Sequence, residues 1–239
     1  MVYRRVILKF SGEILRANGG GEAIDHAVVG KLCDVLKELQ GDGLQLGVVL
    51  GGGNIFRGLP ASKAAKCDRT RGDYMGMLAT AINCLAVQDG LEKLNAAARV
   101  YSAIPMVDVC DTFFVRDALR DMGEGKILLL AGGTGRAFFS TDSAAALRAS
   151  ELKADIVVKA TKVDGVYDKD PKIFANAEKF EKISFADALK NRLNVMDSTA
   201  FSLCMDNNIP ILILDAASDI NNVRRALRGE KLGTFISNS

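Results

Sequence analysis

Residues 126–152, "KILLLAGGTGRAFFSTDSAAALRASEL", contain the clearest indication of the fold. Its first six residues are almost continuously apolar, which is typical of a β-strand covered on both faces. Three glycines then interrupt the chain, and the small residues from about 142 to 152 predict a helix. A strand, a glycine-rich loop and a helix in this order indicate one unit of a parallel sheet with helices packed against it.

The same alternation runs through most of the 239 residues. The predicted strands span residues 4–10, 44–50, 98–104, 126–131, 154–160, 209–214 and 233–237. The predicted helices span residues 25–40, 73–89, 114–122, 142–152, 184–190, 197–206 and 219–228, and residues 161–183 show neither pattern. Only four prolines and no polar linker are present, so we expect one α/β domain with helices on both faces of a largely parallel sheet.

The overall charge is nearly balanced. Lys and Arg number 31 and Asp and Glu number 29, which gives a net charge of +2 and no electrostatic footprint for a nucleic acid. Any basic cluster must therefore be local and serve a small anion. No apolar run approaches the roughly 18 residues of a membrane span, and Lys9 comes too early for the apolar region of a signal peptide. We expect a cytoplasmic protein with no membrane partner.

The cysteine and histidine content excludes several kinds of site. The five cysteines are Cys33, Cys67, Cys84, Cys110 and Cys204. They are scattered and form no C-x-x-C pair, which is typical of small buried residues in a reducing compartment and not of disulfides or zinc ligands. His26 is the single histidine, which argues against His-rich metal sites and Ser-His-Asp triads.

Unusual loops follow four of the predicted strands. They span residues 9–13 (KFSGE), 51–58 (GGGNIFRG), 132–142 (GGTGRAFFSTD) and 161–171 (TKVDGVYDKDP). Each lies at the carboxyl end of its strand, which is the edge where ligands bind in open α/β sheets. Taken alone, the glycines at 51–53 are explained equally well by a tight turn and by a phosphate cradle. The chain has no G-x-x-x-x-G-K-[ST] and no G-x-G-x-x-G motif, which disfavours a P-loop NTPase and a dinucleotide-binding enzyme.

The loop at 132–142 carries the strongest signal for an anion site. Its three glycines can form a nest of backbone N–H groups, and its Thr and Ser hydroxyls add donors just before a predicted helix. Helix N-termini attract anions through their N–H groups and the helix dipole. The alternative is that Thr141 or Asp142 only caps the helix.

Charged residues complete the pattern at this edge. Lys9 and Lys159 stand at the ends of two predicted strands, where lysine is rare without a partner. The alternative is that each ammonium group simply reaches water, but two lysines at equivalent strand ends favour a phosphate ligand. Asp142 would repel a phosphate in the adjacent loop unless Mg²⁺ lay between them. Asp197, from its spacing alone, is predicted to cap the helix that follows.

Seven motifs give the chain a resemblance to the bacterial UMP kinases of the amino acid kinase superfamily. They are KFSGE, GGGNIFRG, GDYMGMLAT, SAIP, GTGRAFFSTDSAA, KATKVDGVYDKDP and VMDSTAF. The resemblance covers essentially the whole chain and implies a three-layer αβα sandwich around a mostly parallel sheet, in one domain over residues 1–239. It also implies transfer of the γ-phosphate of ATP, with Mg²⁺, to UMP. The amino-terminal part of the sheet would bind UMP and the carboxyl-terminal part would bind ATP.

The resemblance further implies a role for each motif residue. ATP would be bound by Lys9, Phe10, Ser11, Gly12, Gly53, Arg57, Thr161, Tyr167 and Asp170. UMP would be bound by Gly52, Asp73, Thr134, Gly135, Arg136, Ala137, Phe138, Phe139, Ser140 and Thr141. The catalytic residues would be Lys9, Lys159, Arg57, Asp142 and Asp197. Mg²⁺ would be held mainly by the nucleotide phosphates, with Asp142 as a candidate ligand.

The UMP kinase family is typically hexameric, activated by GTP and inhibited by UTP, so the resemblance implies a homo-oligomer and these two effectors. Residues 86–100, where basic residues for GTP are usual, keep Asp89 and Arg99 but carry Gln88 and Glu92. This departure argues against activation by GTP. Inhibition by UTP, through occupation of the UMP site, is not affected by it.

Two other functions are compatible with the same fold. One is a superfamily kinase that acts on a carboxylate or carbamate, such as an acetylglutamate or aspartate kinase, but Asp73 and the loop at 134–141 suit a nucleotide better. The other is a non-catalytic protein that binds a nucleotide or an oxyanion, which would not need all four of the charged residues at 9, 142, 159 and 197. Asp73 also has an alternative of its own, which is to cap the helix that follows it.

Overall fold

The computed structural model describes residues 3–17, 21–56, 67–169, 171, 173–174, 176–193 and 196–238. Two residues of the predicted ATP site, Arg57 and Asp170, lie outside the described residues, so their roles stay predictions. Within the described residues, no helix is long and apolar enough to cross a membrane.

Eleven strands are present in the described part of the chain. They are β1 (Arg5–Phe10), β2 (Gln45–Leu50), β3 (Ala98–Ser102), β4 (Asp111–Thr112), β5 (Ile127–Ala131), β6 (Ile156–Thr161), β7 (Val166–Tyr167), β8 (Lys179–Phe180), β9 (Lys182–Ser184), β10 (Ile211–Asp215) and β11 (Thr234–Ser237). Nine of them form one sheet in the order β4-β3-β5-β2-β1-β6-β10-β11-β9, and β7 pairs with β8 in an antiparallel ribbon. Within the large sheet only the β10–β11 pairing is antiparallel, so the predicted mostly parallel sheet is confirmed.

Seven α-helices connect these strands in the described residues. They are α1 (His26–Gly41), α2 (Arg69–Lys93), α3 (Val115–Gly123), α4 (Thr141–Leu152), α5 (Phe185–Lys190), α6 (Ser198–Asp206) and α7 (Asn221–Leu227), with a 3₁₀ turn at Gly12–Leu15. The predicted cap of α1 is confirmed, because the Asp25 carboxylate accepts hydrogen bonds from the N–H groups of Ala27 and Val28.

The core consists of two apolar layers, one on each face of the sheet. Apolar side chains of α1, α2 and α7 cover one face, and those of α3, α4, α5 and α6 cover the other. Residues alternate between the layers along β1, where Leu8 and Phe10 join the first and Ile7 the second. The same alternation directs Lys9 to the face covered by α4. The predicted three-layer αβα sandwich is therefore confirmed.

The structure corrects the predictions in three places. The helix predicted at 73–89 is longer, because Asp68 caps it and it runs from Arg69 to Lys93. The strands β4, β7, β8 and β9 were not predicted, since each has only two or three residues and forms by pairing with a neighbour rather than from its own pattern. All five cysteines are free, and three are buried as predicted, whereas Cys67 and Cys110 are half-buried.

Candidate active site

Two lysines and one carboxylate form a charged centre at the carboxyl edge of the sheet. Strands β1 and β6 are neighbours, and their register places Lys9 directly beside Lys159, as the matching strand ends predict. Asp142, in the first turn of α4, lies between them. The Nζ atom of Lys9 is 2.7 Å from Asp142 Oδ1, and that of Lys159 is 2.7 Å from Asp142 Oδ2. Two ammonium groups and one carboxylate leave a net charge of +1 at this point.

The centre is partly shielded from water, since the three side chains are only 12%, 17% and 12% exposed for Lys9, Lys159 and Asp142. Burial alone would raise the pKa of Asp142, but the charges of the two lysines outweigh it, and the pKa lies below its ordinary value. Asp142 is therefore ionised at neutral pH. Its carboxylate holds the ammonium groups of Lys9 and Lys159 in place, where they can also contact an anionic ligand.

The start of α4 is held in place by serine and aspartate side chains. Ser140 caps this helix, with its hydroxyl accepting the N–H of Asp142 at 3.0 Å, so the alternative that Thr141 or Asp142 is the cap is wrong. Asp197 accepts hydrogen bonds from the hydroxyls of Ser140 and Ser143. It also accepts the N–H of Ala200 at 2.9 Å, which confirms that it caps α6. Asp197 thus fixes the turn that carries Asp142, and its direct role at the lysines stays a prediction.

Gly12 and Gly52 are explained by close contact with other parts of the chain. A Cβ atom on Gly12 would lie 2.3 Å from the carbonyl oxygen of Gly51, and one on Gly52 would lie 2.5 Å from the carbonyl oxygen of Gly76 in α2. The loop at 51–54 therefore packs closely against both α2 and the turn that follows β1. Glycine is required here by the protein's own backbone, whether or not a phosphate also approaches.

The three glycines of the loop at 132–141 have positive φ values, and two of their N–H groups bond within the protein, so the predicted anion nest stays a prediction. Gly132, Gly133 and Gly135 have φ values of +75°, +59° and +76°, in the left-handed region that glycine adopts readily. Two of the N–H groups are already bonded within the protein, that of Gly132 to Thr80 Oγ1 at 2.8 Å and that of Gly135 to the Gly132 carbonyl at 2.9 Å. Phe138 also has a positive φ, of +71°, and its ring is exposed.

Asp73 ties this loop to α2. Its carboxylate accepts the N–H of Phe138 at 2.8 Å and contacts Nε of Arg69 through both oxygens, at 2.9 and 2.8 Å. The guanidinium group of Arg69 also lies 5.3 Å from the centre of the Phe138 ring. Asp68 caps α2, and Asp73 lies inside this helix. The alternative that Asp73 caps the helix is therefore wrong.

A small cavity of about 130 Å³ lies between α2 and this loop. Its lining includes Gly52, Asp73, Thr134, Phe139, Ser140 and Thr141, six of the predicted UMP residues. The other four, Gly135, Arg136, Ala137 and Phe138, lie on the same loop but are not among the described residues that line the cavity. The structure therefore brings most of this set together.

A second cavity, of about 790 Å³, opens beyond β6 and β7. Lys159, Thr161 and Tyr167 line it, so the described residues predicted to contact the adenine and ribose do share one space. Phe10 is fully buried with its ring in the core, so it can reach a nucleotide only through its backbone. Ser11 is the N-cap residue of the 3₁₀ turn that follows β1.

Three buried polar residues near the loops were not predicted. Asn83 donates to the Gly51 carbonyl at 2.7 Å and exchanges hydrogen bonds with Asn54 at 2.8 and 2.9 Å. Thr80 lies one turn earlier on α2 and accepts the N–H of Gly132. Polar residues at 80 and 83, amid the small and apolar residues of a helix, are only a weak signal, because such side chains are usually exposed.

The described residues contain no group of three or more His, Cys, Asp or Glu side chains that could hold a metal ion. Asp142 is the carboxylate at the charged centre, and both of its oxygens contact lysines. The donor set here fits a metal ion only if most of its ligands come from a bound anion.

Comparison with known proteins is consistent with this geometry. The sequence model of the amino acid kinase family matches residues 4–215. The crystal structure of UMP kinase from Ureaplasma parvum is 36% identical, with 99% of this chain and 100% of that chain covered and a TM-score of 0.91. The crystal structure of UMP kinase from Bacillus anthracis is 31% identical, with 99% of this chain and 97% of that chain covered and a TM-score of 0.93. The chain therefore belongs to the amino acid kinase family.

Proposed function

We propose that this protein is a UMP kinase, which transfers the γ-phosphate of ATP to UMP and forms UDP. The observation that carries this proposal is the position of the charged centre between the two cavities. Lys159 lines the larger cavity, and Thr141, next to Asp142 in the chain, lines the smaller one. Similarity to two UMP kinases over almost the entire chain supports the choice of substrate.

In this proposal the larger cavity binds ATP and the smaller one binds UMP. Lys9, Lys159 and the turn at 11–12 would contact the ATP phosphates, and Thr161 and Tyr167 the adenosine. Asp73 and residues 134–141 would hold the ribose, base and phosphate of UMP. One domain over residues 1–239 would thus use the amino-terminal part of its sheet for UMP and the carboxyl-terminal part for ATP.

The reaction requires little of the protein beyond alignment of the two substrates and positive charge near the transferring phosphoryl group. The phosphate of UMP has a second pKa of about 6 and is mostly doubly ionised at neutral pH, so the reaction needs no general base. Lys9 and Lys159 would stabilise the oxygens of the transferring phosphoryl group while Asp142 holds the two ammonium groups in place. Mg²⁺, held mainly by the ATP phosphates with Asp142 as a candidate ligand, would supply further charge neutralisation.

The experiment that tests this function is a coupled ADP-release assay with Mg²⁺-ATP. UMP, CMP, AMP, acetylglutamate and no acceptor are compared at equal concentrations. We expect UMP to be preferred over CMP by a wide margin, on the order of 10⁴-fold in a favourable case, because a site that hydrogen-bonds one base edge leaves polar groups unpaired with the other. Similar kcat/KM values for UMP and CMP would refute the choice of acceptor. Turnover of acetylglutamate alone would favour the carboxylate kinases.

We also propose that the protein assembles into a homo-oligomer, a hexamer as in its typical relatives. The supporting feature is an apolar stripe on α2, formed by the exposed side chains of Tyr74, Met75, Leu78 and Ile82. Spacings of three and four residues put them on one face of the helix. An exposed stripe of this kind is typical of a surface that binds another protein. Light scattering on the purified chain measures the oligomer directly.

For regulation, we propose that UTP inhibits by competing with UMP and that GTP activates weakly or not at all. Two basic side chains in the segment expected to bind GTP are already paired with acidic residues of this chain. Lys93 Nζ is 2.5 Å from Asp89, and Arg99 Nε is 2.6 Å from Asp111. A cytoplasmic location would supply both substrates.

A further inference from the structure

Helix α2 carries two buried polar side chains that point to the two substrate loops. Thr80 and Asn83 are 2% and 0% exposed, and they lie three residues apart on the inner face of the helix. Three residues correspond to about 4.5 Å along a helix axis. Thr80 bonds to the loop at 132–141, and Asn83 bonds to the loop at 51–54. One helical turn therefore spans the two loops.

The hydrogen bonds of Thr80 leave its hydroxyl group a single orientation. Its Oγ1 donates to the Met77 carbonyl at 2.6 Å and accepts the N–H of Gly132 at 2.8 Å. Gly132 also lies close to the end of β3, where a Cβ would be 2.8 Å from Ser102 Oγ and 3.0 Å from the Ala103 nitrogen, and the Thr80 hydroxyl is the acceptor of its N–H. Thr80 therefore fixes the position of the first residue of the loop, directly after β5.

The same helix cannot slide to absorb a change at Thr80. Asn83 is held by the Gly51 carbonyl and by the paired amide of Asn54, which in turn donates to the Ala23 carbonyl at 2.8 Å. Gly52 also packs against the Gly76 carbonyl of α2. If the Thr80 contact is lost, the loop at 132–141 moves relative to the loop at 51–54, while the helix stays in place.

We propose that Thr80 is a positioning residue that sets the separation between the two substrate loops and so aligns UMP for phosphoryl transfer. This inference rests on the proposed function, since it assigns UMP to the loop at 132–141. Alignment of the reacting groups is a large part of catalysis in such reactions, and a displacement of about 1 Å can lower the rate by up to about 10²-fold. Thr80 is among the residues that line the cavity of about 130 Å³, but its Oγ1 is already bonded to the Met77 carbonyl and to the Gly132 N–H. We therefore assign it a positioning role through Gly132 and not a catalytic one.

The test compares three variants of the full-length protein. Thr80→Val removes the hydroxyl but keeps the shape, and Thr80→Ser keeps the hydroxyl. Thr70→Val makes the same chemical change at an exposed position of α2 and is the matched control. We expect Thr80→Val to lower kcat/KM for UMP by roughly tenfold or more, with the KM for ATP within twofold. Thr80→Ser should restore kcat/KM to within about threefold, and Thr70→Val should match the unmodified protein.

A second readout does not depend on turnover. Amide hydrogen exchange of residues 132–140 should become faster in Thr80→Val and stay unchanged in Thr80→Ser and Thr70→Val. If UMP is not a substrate, the proposed function fails, and the exchange rates still decide whether Thr80 holds this loop. If Thr80→Val does not fold, Thr80→Ala takes its place, because it also lacks the hydroxyl and cannot clash. Kinetics equal to those of Thr70→Val, with or without faster exchange, would overturn the positioning role.

Discussion

Replacement of Lys159 by methionine tests the charged centre most sharply. Methionine keeps an unbranched apolar side chain of similar length and removes the ammonium group. Asp142 would keep its contact with Lys9, which is 2.7 Å away, so the carboxylate would not be left alone in a shielded site. The net charge of the centre would fall from +1 to 0. The fold should survive, because the change removes one of two partners and creates no unpaired buried charge.

The expected effect falls on the chemical step. A preorganised donor that strengthens its contact in the transition state contributes about 2.7–4 kcal/mol, or 10² to 10³ in rate. Lys159 is 17% exposed and is held by Asp142, so it is preorganised in a partly shielded position. Lys159→Met should therefore lower kcat by at least about 10²-fold while the two KM values change much less. Lys159→Arg should not restore the rate, because a planar guanidinium group cannot replace a compact ammonium group.

Steady-state kinetics with UMP and ATP varied independently measure both quantities, and a melting curve confirms folding. Lys190→Met is the matched control, since Lys190 is exposed at the end of α5. Near-normal turnover in Lys159→Met would show that the Lys159 ammonium group does not contribute to the chemical step. The lysine would then be structural, and the catalytic role would pass to Lys9 or Arg57.

Three further predictions address other parts of the site. Asp73→Ala should raise the KM for UMP tenfold or more and leave the KM for ATP nearly unchanged, since a charge-assisted hydrogen bond contributes about 1.5–3 kcal/mol; an unchanged KM for UMP with a lower melting temperature would limit Asp73 to holding Phe138. The two lysines depress the pKa of Asp142 in the folded protein. The contribution of Asp142 to the stability of the fold is therefore fully present above its pKa in the unfolded chain, about 3.9, and is lost as the pH falls through its pKa in the folded protein. Acid titration of the free energy of unfolding should show a shallower decline below about pH 4 in Asp142→Asn than in the unmodified protein. Burial raises the pKa of Cys33 and of Cys204 to about 12 and raises that of Cys84 as well. Thiol titration of the native protein at pH 8 should therefore detect at most two of the five thiols, Cys67 and Cys110, and labelling of a third before unfolding would contradict the buried positions.

The large parallel sheet could be predicted because its central strands are long, apolar and separated by regular helices. Lys9 and Lys159 could be placed together for the same reason, since equivalent ends of neighbouring parallel strands meet at one edge. The strands β7 and β8 could not, because each has two residues and exists only through its partner. Their pairing depends on contacts between residues more than ten positions apart, which no local pattern records.

The positions of the charged residues in the candidate site could be predicted better than those of the polar residues that hold its loops. The two lysines stand out because charge is rare at the end of a buried strand, and Asp142 stands out because it would repel a phosphate in the adjacent loop. Thr80 and Asn83 do not stand out, since a hydroxyl or amide in a helix is usually exposed. The glycines at 51–53 were ambiguous for a related reason. Close approach to another backbone segment and close approach to a phosphate require the same residue.

In the proposed function, two nucleotides meet at the centre formed by Lys9, Asp142 and Lys159. The most direct test of this proposal is a crystal structure with UMP, Mg²⁺ and a non-hydrolysable ATP analogue. We expect the analogue in the cavity of about 790 Å³, with γ-phosphate oxygens about 2.7–3.2 Å from Nζ of both lysines and the UMP ribose against Asp73. Another cavity, of about 860 Å³, lies between α1 and residues 216–221. An ATP analogue bound only there, or a UMP ribose turned away from Asp73, would contradict the proposed positions of the two nucleotides.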